Sequence, residues 1–188
     1  ADGAAILYMT DHEPFSENLW RGDAEPGSID SMVHEGDRRH ARFMAGADLV
    51  IHDAQYTPEE YESRKTWGHS TYEYAVEVAA AAGVKRVALT HHDPEHNDLF
   101  VADIEQRARA VAEKRGSPIE VFCAHEGGEY TISGKQFRPT AEREAGTAPA
   151  APPVAGALLL VVDDDPLLRR LAVKVLSRYG HTVSEAEN

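Results

Sequence analysis

The chain has a single cysteine, Cys123, among 188 residues, so it can form no internal disulfide. A reducing compartment, the cytoplasm, is the expected setting. No apolar run approaches the roughly 20 residues of a membrane-spanning helix, and no signal peptide is legible. Basic residues are scarce, with 19 Lys and Arg against 32 Asp and Glu and a formal net charge of −13. Nucleic-acid binding draws on clustered Lys and Arg, so nucleic acid is disfavoured as a partner. An anionic membrane surface is disfavoured for the same reason. The hydrophobic share of 42% still suits a globular core, and the length fits one medium domain and a smaller piece. The chain opens on Ala1 and enters a strand pattern almost at once, which reads as a segment of a longer protein.

The densest signal is Trp67–His92, WGHSTYEYAVEVAAAAGVKRVALTHH. Ser70 and Glu73 have capping-box spacing, predicting a helix from about Thr71. Val76, Ala79, Ala80 and Gly83 recur at helical spacing, and Gly83 suits a left-handed helix end. Val87–Leu89 is a short buried strand, so His69 and His91 fall near one edge of a sheet. Open α/β folds place chemistry at such strand ends. Upstream, Ala4–Thr10 is a buried-strand pattern that Pro14 stops. By themselves Asp11 and His12 read as a polar turn, with His12 and Glu13 facing water. Asp48–Asp53 is a second strand ending in His52-Asp53, read as residues that fix the loop.

Between these strands, Asp37–Gly46 reads as a helix with Ala41, Met44 and Ala45 inward and His34 and His40 at the surface. Thr57, Pro58 and Glu60 form a helix start. The His92–Asp98 loop is rich in ligand types but reads as a connection, with Asp98 capping an amphipathic helix at Leu99–Arg115. Ile119–Ala124 and Glu129–Ile132 are the last strands before a composition change. Cys123 in a strand reads as a buried structural thiol. The fold class is α/β.

Taken in order, the strand ending in Asp11, GHST, the helix and VKRVALTHH resemble the second half of the metallo-β-lactamase superfamily, in its ribonuclease Z, phosphodiesterase-like branch. The resemblance spans roughly residues 4–132 and implies half of an αββα sandwich, placed at 1–137. It implies metal-assisted phosphodiester hydrolysis with two divalent ions, zinc or manganese. Asp11 would be the bridging carboxylate and His91 a metal ligand. His69 would assist cleavage from just outside the metal shell. His52-Asp53 stands where that family has His-Glu, and both would be supporting residues behind the ligands. The primary metal motif of that family, His-x-His-x-Asp-His, occurs nowhere in this sequence. The chain alone is therefore expected to hold metal poorly and to be inactive. The acidic charge favours a small phosphodiester, such as a cyclic nucleotide, over a tRNA-processing role.

Residues 138–156, RPTAEREAGTAPAAPPVAG, lack apolar periodicity and read as an Ala/Pro-rich linker. Residues 157–188 then resemble the opening of a response-regulator receiver domain, a β-α-β start. The resemblance implies an Mg²⁺-binding acidic pair at Asp163 and Asp164 and a histidine kinase as the complete domain's partner. This piece stops before the phosphoacceptor strand and is too short to fold unaided. The alternative to a hydrolase is a degenerate hydrolase-like binding or scaffold module in a phosphorelay protein. A homodimer is compatible with either reading.

Overall fold

A computed structural model of the chain describes residues 4–22, 27–132, 138–139, 158–162 and 182–186, and the single positions 170, 173, 174 and 177. The apolar runs become parallel strands: β1 (Ala5–Met9), β2 (Leu49–Asp53), β3 (Arg86–Thr90) and β4 (Glu120–Cys123). Helix α1 (Glu35–Phe43) links β1 to β2; α2 (Pro58–Tyr61) and α3 (Tyr72–Ala81) link β2 to β3; α4 (Asp98–Lys114) links β3 to β4. Parallel strands need such crossovers, so the alternation of strand and helix patterns dictates an α/β sheet.

One face of the sheet carries the main core. Leu7, Val50, Val87, Leu89 and Val121 pack against Met44, Val76, Ala79, Ile104 and Ala108. The other face has a smaller cluster around Leu49, Ala88 and Phe122. Tyr8 is 40% exposed, so among the described residues that second face is only lightly covered. Each fully buried Val or Leu contributes about 1.5–3 kcal/mol relative to leaving it in water.

The Thr57–Glu60 capping box forms as expected, but two caps differ from the sequence reading. Thr71 caps α3, accepting from the Tyr74 amide, because the Ser70 hydroxyl donates instead to the Asp53 carbonyl. Asn97, rather than Asp98, caps α4. The prediction that His40 lies at the surface and His12 faces water is also overturned. His12 is 4% and His40 8% exposed. The inward stripe of α1 runs Asp37, His40, Ala41, Met44, and Ala45 points outward.

After β4, β5 (Tyr130–Thr131) pairs antiparallel with β6 (Arg138–Pro139), so the first two residues of the expected linker are tied back. Strand β7 (Leu158–Val162) then adds parallel to β1, and β8 (Thr182–Ala186) parallel to β7. The six strands form one sheet in the order β4-β3-β2-β1-β7-β8. The unpaired N–H and C=O groups of a strand edge are a ready template for such addition. Arg170, Val173, Lys174 and Ser177 are helical. Asp163, Asp164 and most of the expected linker lie outside the described residues.

Candidate metal and catalytic site

The register of the sheet assembles the site. Met9 stands opposite His52, and Asp53 opposite Thr90. Asp11, Asp53 and His91 therefore leave the sheet at one edge, and the loop before α3 brings His69 to it. Asp11 (φ 50°) and His91 (φ 59°) both sit in the left-handed region. That region is unfavourable for residues with a Cβ and recurs where a site over-determines the backbone.

Asp11, Asp53, His69 and His91 each offer a donor atom, and these atoms lie within 4.8 Å of one another. Asp11 Oδ1 is 3.0 Å from His91 Nδ1 and 4.0 Å from His69 Nδ1. His69 Nδ1 is 2.8 Å from Asp53 Oδ2. The His69 and His91 rings are 4.6 Å apart. Bonds of about 2.0–2.1 Å to zinc imply neighbouring donors roughly 3.3 Å apart in a tetrahedron, so these spacings need only small adjustment. Two carboxylates and two imidazoles are also the donor types that zinc and manganese accept.

The Asp53 carboxylate is fully buried. Burial raises its pKa, and the His69 hydrogen bond and charge oppose that rise. Besides His69, it accepts from the His12 amide at 3.1 Å and the Gln55 amide at 3.1 Å. An ionised carboxylate only accepts, so His69 carries its proton on Nδ1, which leaves Nε2 as the acceptor nitrogen. Asp53 thus fixes both the tautomer and the ring orientation of His69, the role that outer partners of histidine commonly play.

Behind the site lies a buried polar network. His52 Nδ1 is 2.6 Å from the Asp53 carbonyl, which can only accept, so Nδ1 carries the proton. His52 Nε2 is then the acceptor for His40 Nε2 at 2.8 Å. The His12 ring stacks on His40 at 3.6 Å, and its Nε2 meets the Tyr74 hydroxyl at 3.0 Å. That hydroxyl donates to Asp37 Oδ1 at 2.8 Å, so His12 must donate to it. Asp37 also accepts from the Phe15 amide and the Ser16 hydroxyl. Burial lowers the pKa of all three histidines, that of His12 to about 3, and keeps the rings neutral. Burial and the neighbouring Asp37 push the Tyr74 phenol well up.

Of the residues singled out from sequence, Asp11, His69, His91 and Asp53 converge on one point. His52 does not; it turns into the network. In the loop after His91, His96 Nε2 bonds Glu60 at 2.8 Å. Among the described residues neither ring nitrogen of His92 has a side-chain hydrogen-bond partner, and burial lowers its pKa. The Cys123 thiol is buried and its pKa is pushed up to about 12, as befits a structural thiol. Sequence reading missed His12, His40 and Tyr74. The stripe Asp37-His40-Ala41-Met44 at helical spacing was the available signal.

No protein-family model matches the chain. Similarity to curated proteins is nevertheless clear. The chain is 38% identical over 101 residues to a ribonuclease Z of Lactococcus lactis, covering 52% of this chain and 32% of that protein. It is 34% identical over 134 residues to a ribonuclease Z of Haloferax volcanii, covering 68% and 37%. A ribonuclease Z of Halobacterium salinarum is 34% identical over 115 residues, covering 59% and 34%. The chain spans about a third of the length of these relatives. The similarity lies in the matched part of the chain and does not bear on a receiver domain. Among the described residues, no helix is long and apolar enough to cross a membrane.

Proposed function

We propose that residues 4–132 are the part of a phosphodiesterase that supplies the bridging carboxylate, one histidine ligand and the proton-handling histidine. One observation carries the reading: Asp11, Asp53, His69 and His91 converge at the carboxyl ends of β1, β2 and β3 with donor atoms within 4.8 Å. Asp11 and His91, partly exposed at the rim, would hold a divalent ion, zinc or manganese. When bound, such an ion supplies an acidified water and positive charge for the phosphoryl oxygens. Asp53 holds the His69 Nδ1–H, so the bare Nε2 would first take a proton from the attacking water and, as the imidazolium, pass it to the leaving oxygen as charge builds there. Because Asp53 is buried and shielded, this interaction is less screened than in water.

The relatives are ribonucleases by name, which runs against excluding nucleic acid on net charge. Net charge sums over the whole chain, whereas a substrate meets only the groups at the site. An RNA phosphodiester therefore stands beside a small cyclic phosphodiester as substrate class. Residues 157–188 are, in the same proposal, the opening of a receiver domain. The parallel β7–β8 pair with helical residues between them supports it; Mg²⁺ at Asp163 and Asp164 and a histidine kinase would complete it.

The test uses bis(p-nitrophenyl) phosphate with the chain and with its full-length gene product, each loaded with zinc or manganese. His69→Ala is expected to lower kcat by roughly 10²–10⁴-fold with metal content retained. His91→Ala is expected to lose metal and activity together. Near-normal kcat in metal-loaded His69→Ala removes that residue from the reaction, and a metal-loaded full-length product without hydrolysis sinks the proposal.

A further inference from the structure

Trp67 stands two residues before His69 and is 59% exposed. An indole so open is unusual for a side chain of that size and apolarity. Its exposure does not come from a loose loop. Glu13, two residues after Asp11, accepts from the Thr66 amide at 2.5 Å, the Gly68 amide at 3.0 Å and the Tyr61 hydroxyl at 2.9 Å. Thr66 (φ 73°) and Gly68 (φ 90°) take the left-handed conformations that turn the chain on either side of Trp67. The indole is thus held out from the loop by a carboxylate anchored at the tip of β1.

Arg64 lies against it. The guanidinium carbon is 4.7 Å from the Trp67 ring centroid and 5.7 Å from that of Tyr56. Tyr56 in turn meets the His69 ring edge-on, with centroids 6.1 Å apart. The order from the rim inward is therefore Trp67, Arg64, Tyr56, His69. Arg64 is half-buried and makes no ion pair among the described residues, in a chain with 32 acidic residues. One guanidinium N–H is donated to the Tyr56 hydroxyl, and stacking on aromatic faces satisfies the flat surfaces but not the charge.

We propose that Trp67 and Arg64 form a recognition ridge for a nucleobase-bearing phosphodiester; this rests on the phosphodiesterase reading of the site. The indole offers a flat surface on which a purine or pyrimidine stacks, and every base has such a face. Arg64 offers a fork of donors to the phosphate that joins the base to the scissile bond. A purely aliphatic phosphodiester would use the cation and leave the indole bare. The shared chemistry is a nucleotide unit, whether from a free cyclic nucleotide or from an RNA strand.

The chain has two tryptophans. Trp20 is packed under Arg115 at 5.2 Å and hydrogen-bonded to Glu77; Trp20→Phe leaves Trp67 as the sole tryptophan, excited selectively at the red edge beyond tyrosine absorption. Fluorescence is titrated with adenosine, dimethyl phosphate, cyclic AMP and a short oligoadenylate, with the metal present, and affinities are checked by calorimetry. Cyclic AMP or oligoadenylate is expected to quench Trp67 strongly and adenosine weakly, while dimethyl phosphate binds without quenching. Trp67→Leu should weaken nucleotide binding roughly 5- to 100-fold and leave dimethyl phosphate binding unchanged. Arg64→Gln should weaken nucleotides and dimethyl phosphate but not adenosine. Tighter oligoadenylate points to an RNA strand as the source, and tighter cyclic AMP to a free nucleotide. Unquenched Trp67 with both nucleotides, or wild-type nucleotide affinity in Trp67→Leu, overturns the ridge. Hydrolysis of bis(p-nitrophenyl) phosphate by the metal-loaded full-length product reports separately on the underlying reading. If it persists while Trp67 stays silent, only the ridge falls; if quenching occurs without dimethyl phosphate binding or hydrolysis, the phosphodiester assignment falls.

Discussion

Replacing Tyr74 by Phe removes one oxygen from the centre of the buried network and changes almost nothing else. Tyr74 is 8% exposed, and Phe fills the same space, so no cavity opens. The hydroxyl donates to Asp37 Oδ1 at 2.8 Å and accepts from His12 Nε2 at 3.0 Å. Asp37 is fully buried and keeps its bonds from Phe15 and Ser16 but loses the third. His12 Nε2–H is left without an acceptor among these residues. A hydrogen bond to a charged group contributes about 1.5–3 kcal/mol and a neutral one about 0.5–1.5 kcal/mol. The sum, discounted for partial relaxation, is a loss of about 2–4 kcal/mol. For a domain of this size that corresponds to a melting temperature lower by roughly 5–12 °C. Urea unfolding of wild type and Tyr74→Phe, followed by circular dichroism, measures it directly. The double variant with Asp37→Asn should show coupling of about 1 kcal/mol or more, since the two groups share a bond. A loss below about 0.5 kcal/mol, or strict additivity in the cycle, would refute the network as drawn.

Two further outcomes follow from the same geometry. His12, His40 and His52 have folded-state pKa values below the unfolded value, so the unfolded state takes up more protons on acidification. Stability is then full above about pH 6.5 and falls as pH drops, by about 3 kcal/mol at pH 4.5 for His12 alone; Asp53, raised by burial, shifts the other way and softens the fall. Urea midpoints constant down to pH 4.5 would contradict it. Glu13→Ala removes the acceptor of the Thr66 and Gly68 amides, so their hydrogen exchange should accelerate at least tenfold while amides of β2 hold; unchanged exchange would mean that the loop is held by other contacts.

Much of this fold can be read from its periodicities. The apolar runs at Ala5–Met9, Leu49–Asp53 and Arg86–Thr90 and the stripe at Ile104 and Ala108 each fall where a strand or helix forms. GHST and the histidine after VALT mark two of the converging groups for the same reason: each directly adjoins a strand or helix whose ends are predictable. What escaped the pattern was decided by competition. Ser70 and Thr71 both suit a cap, and only the folded position of the Asp53 carbonyl assigns Ser70 elsewhere. His40 is polar, so a rule that puts apolar residues inward discards it, although its spacing with Ala41 and Met44 is that of the inner face. The pairing of β7 with β1 depends on which sheet edge is open, a tertiary fact that no local window contains.

The two strand tips that build the site share one construction, and it explains why the hidden network matters to the exposed chemistry. In Asp11-His12 the aspartate reaches the donor cluster while the histidine turns inward to Tyr74. In His52-Asp53 the order is reversed: the histidine turns inward to His40 and the aspartate reaches His69. Successive residues of a strand point to opposite sides, so His52 and Asp53 divide in this way by necessity. The two tips are then tied together, since the His12 amide donates to the Asp53 carboxylate, while within the β2 tip the His52 ring donates to the Asp53 carbonyl. Asp53 is thereby gripped from two directions by residues belonging to the network. A change that lets His12 or His52 shift must also move the carboxylate that orients His69. A shift of about 1 Å at a proton-transferring group is enough to cost on the order of 10²-fold in rate. If His69 transfers a proton as proposed, the network sets the precision of the site as well as the stability of the sheet edge that carries it.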